Sequence, residues 1–207
     1  MNSSFVNKII LIYSFFSILI VSCNQKTTLD LVNEFYQNNK NKNIDKYKGW
    51  KIYPRTNGSN PTIFGFEYYY EHKDSSRFSY LDDGRVFEQS KYSTLQFVVE
   101  HKNNEAPHLI TNYRDIDKQM NIYADALKIS PEEAKVKLDE IINGFFSLQT
   151  KYLLSTPWSY PAISMYLNDS LSVCYAPLGL EKINLPEPDI KFYQLENKWF
   201  YVIEPSN

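Results

Sequence analysis

The chain has 207 residues and sets 22 Lys and Arg against 24 Asp and Glu, a formal net charge of −2 at pH 7. It therefore lacks the basic excess that draws nucleic acid by counterion release, and nucleic acid is excluded as a partner. Two cysteines are too few for a disulfide framework, and six glycines leave little material for loops that cradle phosphate.

In chain order, Lys8 is the sole charge among residues 1–22, and Ile9 to Val21 follows as an apolar run. The run falls well short of the ~20 residues a spanning helix needs and has the form of a secretory signal. It closes on Ile20-Val21-Ser22-Cys23. That tetrad resembles the lipobox of bacterial lipoproteins: aliphatic, then small or aliphatic, then small, then an obligatory Cys. The resemblance implies cleavage after Ser22 and acylation, with palmitate-type chains, of the Cys23 sulfur and its new α-amine. Residues 1–22 would be a lipoprotein signal peptide and 23–27 a short lipid tether. Two or more acyl chains hold a protein stably at a membrane, whereas one does so only marginally. Asn24, rather than Asp, follows the Cys. Under the enterobacterial sorting rule this favours the outer membrane over the inner.

Residues 28–207 read as a single α+β domain. Its expected architecture is an antiparallel sheet, a meander plus C-terminal hairpins, with an N-terminal helix and a central αα-hairpin. From Thr28 to Asn38, Leu29, Val32, Phe35 and Tyr36 recur at helical spacing behind a Thr27–Asp30 cap. Trp50 to Tyr53 reads as a strand ended by Pro54. Thr62 to His72 alternates, with Phe64, Phe66, Tyr68 and Tyr70 on one face and Gly65, Glu67, Tyr69 and Glu71 on the other. Arg77 to Leu81 and Arg85 to Gln89 flank the Asp82-Asp83-Gly84 turn, and Tyr92 to His101 completes the meander. Ile116, Met120, Tyr123 and Leu127 form a helical stripe, with Tyr113 and Ala124 beside it. Ser130-Pro131-Glu132-Glu133 then opens a second helix striped by Ala134, Leu138, Ile141, Phe145 and Leu148. Gly144 lies inside that helix, where it permits close packing. Ile163 to Leu167 pairs with Leu171 to Tyr175. Ile190 to Leu195 pairs with Lys198 to Ile203 across Glu196-Asn197. The closing Tyr193 to Val202 segment resembles the last hairpin of nuclear-transport-factor-like cone folds and of many small envelope lipoproteins. The central αα-hairpin is foreign to that fold, and no site residues carry over.

No nucleophile elbow, phosphate loop or dinucleotide fingerprint occurs. His101 and His108 flank a polar loop, Lys102 to Pro107, and with Glu105 inside it could converge on a metal, but a solvated loop is the simpler reading. Glu67 and Glu71 lie about 13 Å apart on one strand face, too wide for paired glycosidase carboxylates, and suit a solvent-facing edge. Cys174 sits in a strand-like run and reads as a small buried hydrophobe. The best binding surface is Pro157-Trp158-Ser159-Tyr160-Pro161, where prolines restrain two amphipathic aromatics, Trp158 and Tyr160. The expected function is therefore a membrane-anchored cell-envelope lipoprotein. It would be a non-catalytic binding or assembly module with no cofactor, held to the membrane through lipid and engaging an envelope protein or glycan. The alternatives are an anchored immunity or inhibitor protein and an envelope polymer hydrolase.

Overall fold

The computed structural model describes residues 26–55, 62–71, 79–80, 86–87, 92–102, 105–111, 115–155, 162–180 and 191–204. The signal segment with Cys23, His72, the Asp82-Asp83-Gly84 turn, Tyr113 and the corner carrying Trp158 and Tyr160 lie outside them. The fold is α+β.

The first helix, α1 (Thr28–Asn39), opens on the expected cap. Thr27 N–H donates to Asp30 Oδ2 at 3.0 Å, and Asp30 N–H donates to Thr27 Oγ1 at 3.2 Å. Lys26 also pairs with Glu34, eight residues on. The chain divides into two compact units, residues 1–37 and 38–207, with the boundary inside this helix. The sheet and the later helices belong to the second unit.

The strands are β1 (Trp50–Pro54), β2 (Ile63–Glu71), β3 (Ser79–Tyr80), β4 (Val86–Phe87), β5 (Tyr92–Glu100), β6 (His108–Leu109), β7 (Tyr152–Leu154), β8 (Ile163–Tyr166), β9 (Leu171–Tyr175), β10 (Lys191–Glu196) and β11 (Trp199–Ile203). Among the described residues, nine of them form one sheet in the order β10-β11-β9-β8-β7-β1-β2-β5-β6, every pair antiparallel. β3 and β4 pair with each other, as the sequence led one to expect, but they stand as a separate two-stranded sheet rather than within the meander, where β2 pairs directly with β5. The meander thus grows from one side of β1 and the C-terminal hairpins from the other.

The seam between these halves is β7, which the sequence did not reveal. It has only three residues and follows a left-handed helix cap at Gln149 (φ 58). So short a segment carries no period of its own and is a strand only because β1 and β8 pair with it on either side. Ile52 faces Leu153 across the seam, and Ser155 N–H donates to Trp50 O at 2.8 Å. β6 escaped notice for the same reason. The last turn also shifts by one residue: Asn197-Lys198 makes it, with Asn197 at φ 39, rather than Glu196-Asn197.

The helical hairpin is α2 (Ile116–Leu127) and α3 (Pro131–Leu148). Asp115 caps α2 by accepting from Lys118 N–H at 3.1 Å. Ser130 and Glu133 make the full capping box, at 3.2 and 2.9 Å. Between the helices, Lys128 turns left-handed (φ 58) and Ile129 N–H returns to Ala124 O. The α3 stripe of Ala134, Leu138, Ile141, Ile142, Phe145 and Leu148 is buried throughout. On α2 only Tyr123 and Ala124 are buried, while Ile116, Met120 and Leu127 remain half-exposed.

These helices cover one face of the first half-sheet. Trp50 and Phe97 meet Tyr123 at centroid separations of 5.7 and 5.9 Å, and Phe64 and Phe66 meet Phe145 at 5.9 and 5.6 Å. Edge-to-face packing of this kind adds to the ~1.5–3 kcal/mol that burying each such side chain contributes. Gly144 marks the tightest approach. A Cβ there would lie 2.5 Å from the Tyr47 hydroxyl, so glycine alone fits. Tyr47 belongs to a short 3-10 turn, Asp45–Tyr47.

Candidate functional site

The face of the first half-sheet turned away from the helices carries a polar cluster. The register sets Lys51 beside Glu67 and Glu67 beside Gln96, in line across β1, β2 and β5. Tyr53 faces Gly65 two pairs further along, on the same face. Because Gly65 has no side chain, the Tyr53 ring lies over it, 2.8 Å from where a Cβ would stand. That placement brings the Tyr53 hydroxyl to Glu67.

Glu67 is the centre of the cluster. Tyr53 O–H donates to its Oε1 at 2.8 Å, Gln96 Nε2 donates to the same oxygen at 2.8 Å, and Tyr69 O–H donates to Oε2 at 3.0 Å. The Lys51 ammonium stands 3.7 Å from Oε2 and lies over the Tyr53 ring. Burial, then the Glu67 charge and hydrogen bond, push the Tyr69 hydroxyl well above the ordinary tyrosine range. Tyr69 therefore keeps its proton and serves as a fixed donor. A carboxylate held by three donors is satisfied rather than poised, so the chemistry it supports is a locked anionic anchor within the sheet.

This corrects the reading of Glu67 as a solvent-facing edge residue. It is 8% exposed, whereas Glu71 on the same face is exposed as expected. Period-two alternation placed both on one face but could not reveal Tyr53 and Gln96, which arrive through strand register. The one local signal was Gly65, a gap that a neighbouring strand's large side chain can fill.

The other candidates sit apart. His108 Nε2 lies 3.2 Å from Glu100 Oε2, while the His101 ring packs against Phe146 at 4.1 Å, tilted by 34°. Among the described residues, no group of three or more His, Cys, Asp or Glu side chains is placed to hold a metal ion. Cys174 is buried, as read from the sequence, with its thiol 3.3 Å from Ser164 Oγ and 3.6 Å from Ser172 Oγ. Burial pushes it up to about 11, so it is an inert core thiol rather than a nucleophile. No described helix is long and apolar enough to cross a membrane. Comparisons with family models, with curated proteins and with solved structures find no match to this chain.

Proposed function

We propose that the protein is a lipoprotein of the cell envelope, anchored through lipid on Cys23, and that residues 28–207 bind another envelope component, a protein or a glycan, at the membrane surface. The outer membrane is its expected location. The observation that carries this reading is the apolar run 9–21 closing on Ser22-Cys23, with a capped helix beginning at Thr28. Only Asn24 to Thr27 separate the lipidated residue from that helix, a reach of at most ~14 Å. A folded part held so close to the head groups works on what the membrane surface presents. The satisfied Glu67 and the inert Cys174 suit a binding role better than acid–base or nucleophilic catalysis.

The test is metabolic labelling of the full chain with an alkyne palmitate analogue, beside Cys23→Ala. The expected result is label and membrane association in the native chain and neither in the variant. An unlabelled native chain, or label that survives Cys23→Ala, overturns the anchor. A mild-detergent pull-down of the labelled protein then reads the binding half. One stoichiometric partner supports it, and a protein that turns over an envelope polymer alone sinks it.

A further inference from the structure

We infer that the β10 edge of the sheet pairs with the β10 edge of a second copy of this chain, two-fold symmetric about Tyr193. β10 ends the sheet order, and no described strand lies beyond it. Its outward groups follow from the ladder. Ala176 N–H donates to Lys198 O and Glu204 N–H to Ser170 O, both at 2.8 Å. Even-numbered residues of β11 therefore bond to β9, and Trp199, Tyr201 and Ile203 turn their backbone groups to β10. Their partners Lys191 and Tyr193 bond inward, which leaves the N–H and C=O of Phe192 and Gln194 pointing out from the edge.

The side chains match this register. An antiparallel pairing centred on Tyr193 sets Phe192 of one copy opposite Gln194 of the other, so the outward backbone groups meet as a hydrogen-bonded pair, twice by symmetry. Lys191, Tyr193 and Glu196 then matter together. A bulge between Gln194 and Glu196 returns Glu196 to the face occupied by Lys191 and Tyr193, because Glu196 pairs with Trp199 while Tyr193 pairs with Tyr201. Without the bulge Glu196 would point to the other face. With it, Lys191 of each copy lies opposite Glu196 of the other. Tyr193, 41% exposed and stacked on Tyr201 at 4.8 Å, meets its own symmetry mate and extends that stack across the junction. One six-residue strand gives an interface at the small end of the range, so pairing is weak in dilute solution. Anchoring two copies in one membrane, the reading proposed above, raises their effective concentration.

The test is oxidative cross-linking of full-length Tyr193→Cys in membranes. Facing residues of a non-hydrogen-bonded pair have Cα atoms about 4.5 Å apart, within disulfide reach. The expected result is a reducible dimer from Tyr193→Cys and several-fold less from Gln194→Cys. Adding Lys191→Glu to Tyr193→Cys lowers the yield several-fold, and adding Glu196→Lys as well restores it. That restoration also shows that the variants fold. Equal yields at 193 and 194, no dimer, or an adduct with a different protein overturns self-pairing. Running each variant with Cys23→Ala separates loss of the anchor, which lowers every yield together, from loss of the register, which changes only their ratio.

Discussion

The two halves of the sheet, on either side of the β1–β7 seam, are packed by different means. In the first half, β1, β2 and β5 present Trp50, Phe64, Phe66 and Phe97 to Tyr123 and Phe145, rings contributed by helices that come later in the chain. The other face of these strands carries the Glu67 cluster. In the second half, β9 is buried at Leu171, Ser172, Val173 and Cys174 in succession, so both of its faces are covered. There the small side chains of Ala162, Cys174 and Ala176 close in around Phe200 and Val202, with Phe192 packed on Phe200 at 4.7 Å. The difference teaches where each half is weak. Large interlocked rings suffer most from truncation, and the small residues packed around Phe200 suffer most from enlargement.

Phe145→Ala is the sharpest way to break the first half. Phe145 is 1% exposed and touches rings from β2 and from its own helix. Its loss should cost about 3–5 kcal/mol, read as a lower denaturant midpoint of the full chain. A cost under about 1 kcal/mol would mean that the helices do not lock this half.

The polar face should respond less. Glu67→Ala removes the acceptor of two tyrosine hydroxyls and one amide, for a loss of about 2–3 kcal/mol, while Glu67→Gln keeps the shape and loses less. The same cluster makes stability depend on alkaline pH. Folding raises the Tyr69 value above that of the unfolded chain, so the folded state holds the proton more tightly. That contribution is complete below the ordinary tyrosine value of 10.0 and is lost as pH rises beyond it. Tyr69→Phe should flatten the alkaline limb of a midpoint-against-pH plot. An unchanged limb would assign the loss to other tyrosines.

Enlargement probes the second half. Ala176 is fully buried, and its N–H donates to Lys198 O at 2.8 Å. Ala176→Leu should cost about 1–3 kcal/mol by overpacking. The comparison fails if this change is tolerated, because the second half would then hold spare volume.

The halves also differed in how far the sequence could be read. α3 was plain from Ser130 to Leu148 because a capping box and a buried stripe repeat the same message over five turns. β2 and β5 were plain because alternation runs the length of nine-residue strands. β7 was invisible, since pairing with β1 and β8 makes it a strand and no local period does. The order of the last strands was also hidden: the β10–β11 hairpin is local, but which of its strands joins β9 depends on the whole sheet. The Glu67 cluster lay between these cases. One strand showed Glu67 and Tyr69 on a common face, while Tyr53 and Gln96 stand 14 and 29 residues away in sequence.

The smallest expected effect tests the close approach beneath the first half. Alanine at 144 gains about 1 kcal/mol of helix propensity over glycine. Its Cβ, however, would lie 2.3 Å from Lys46 Nζ and 2.5 Å from the Tyr47 hydroxyl. The ammonium is the end of a flexible side chain and can swing aside. The hydroxyl cannot, because Tyr47 is 1% exposed and its ring is fixed by packing. Gly144→Ala should therefore cost a net ~1–2 kcal/mol despite the propensity gain. The Tyr47 hydroxyl has no hydrogen-bond partner among the described residues, and burial alone holds its proton on. Tyr47→Phe should consequently be neutral or stabilising by up to ~1 kcal/mol. Combined, the two changes should not add, since removing the oxygen opens the space that the new methyl needs. A double-mutant cycle should show favourable coupling of about 1 kcal/mol. Strict additivity would instead mean that α3 shifts away from the 3-10 turn as a unit, and that the fit at Gly144 is looser than the ring packing above it.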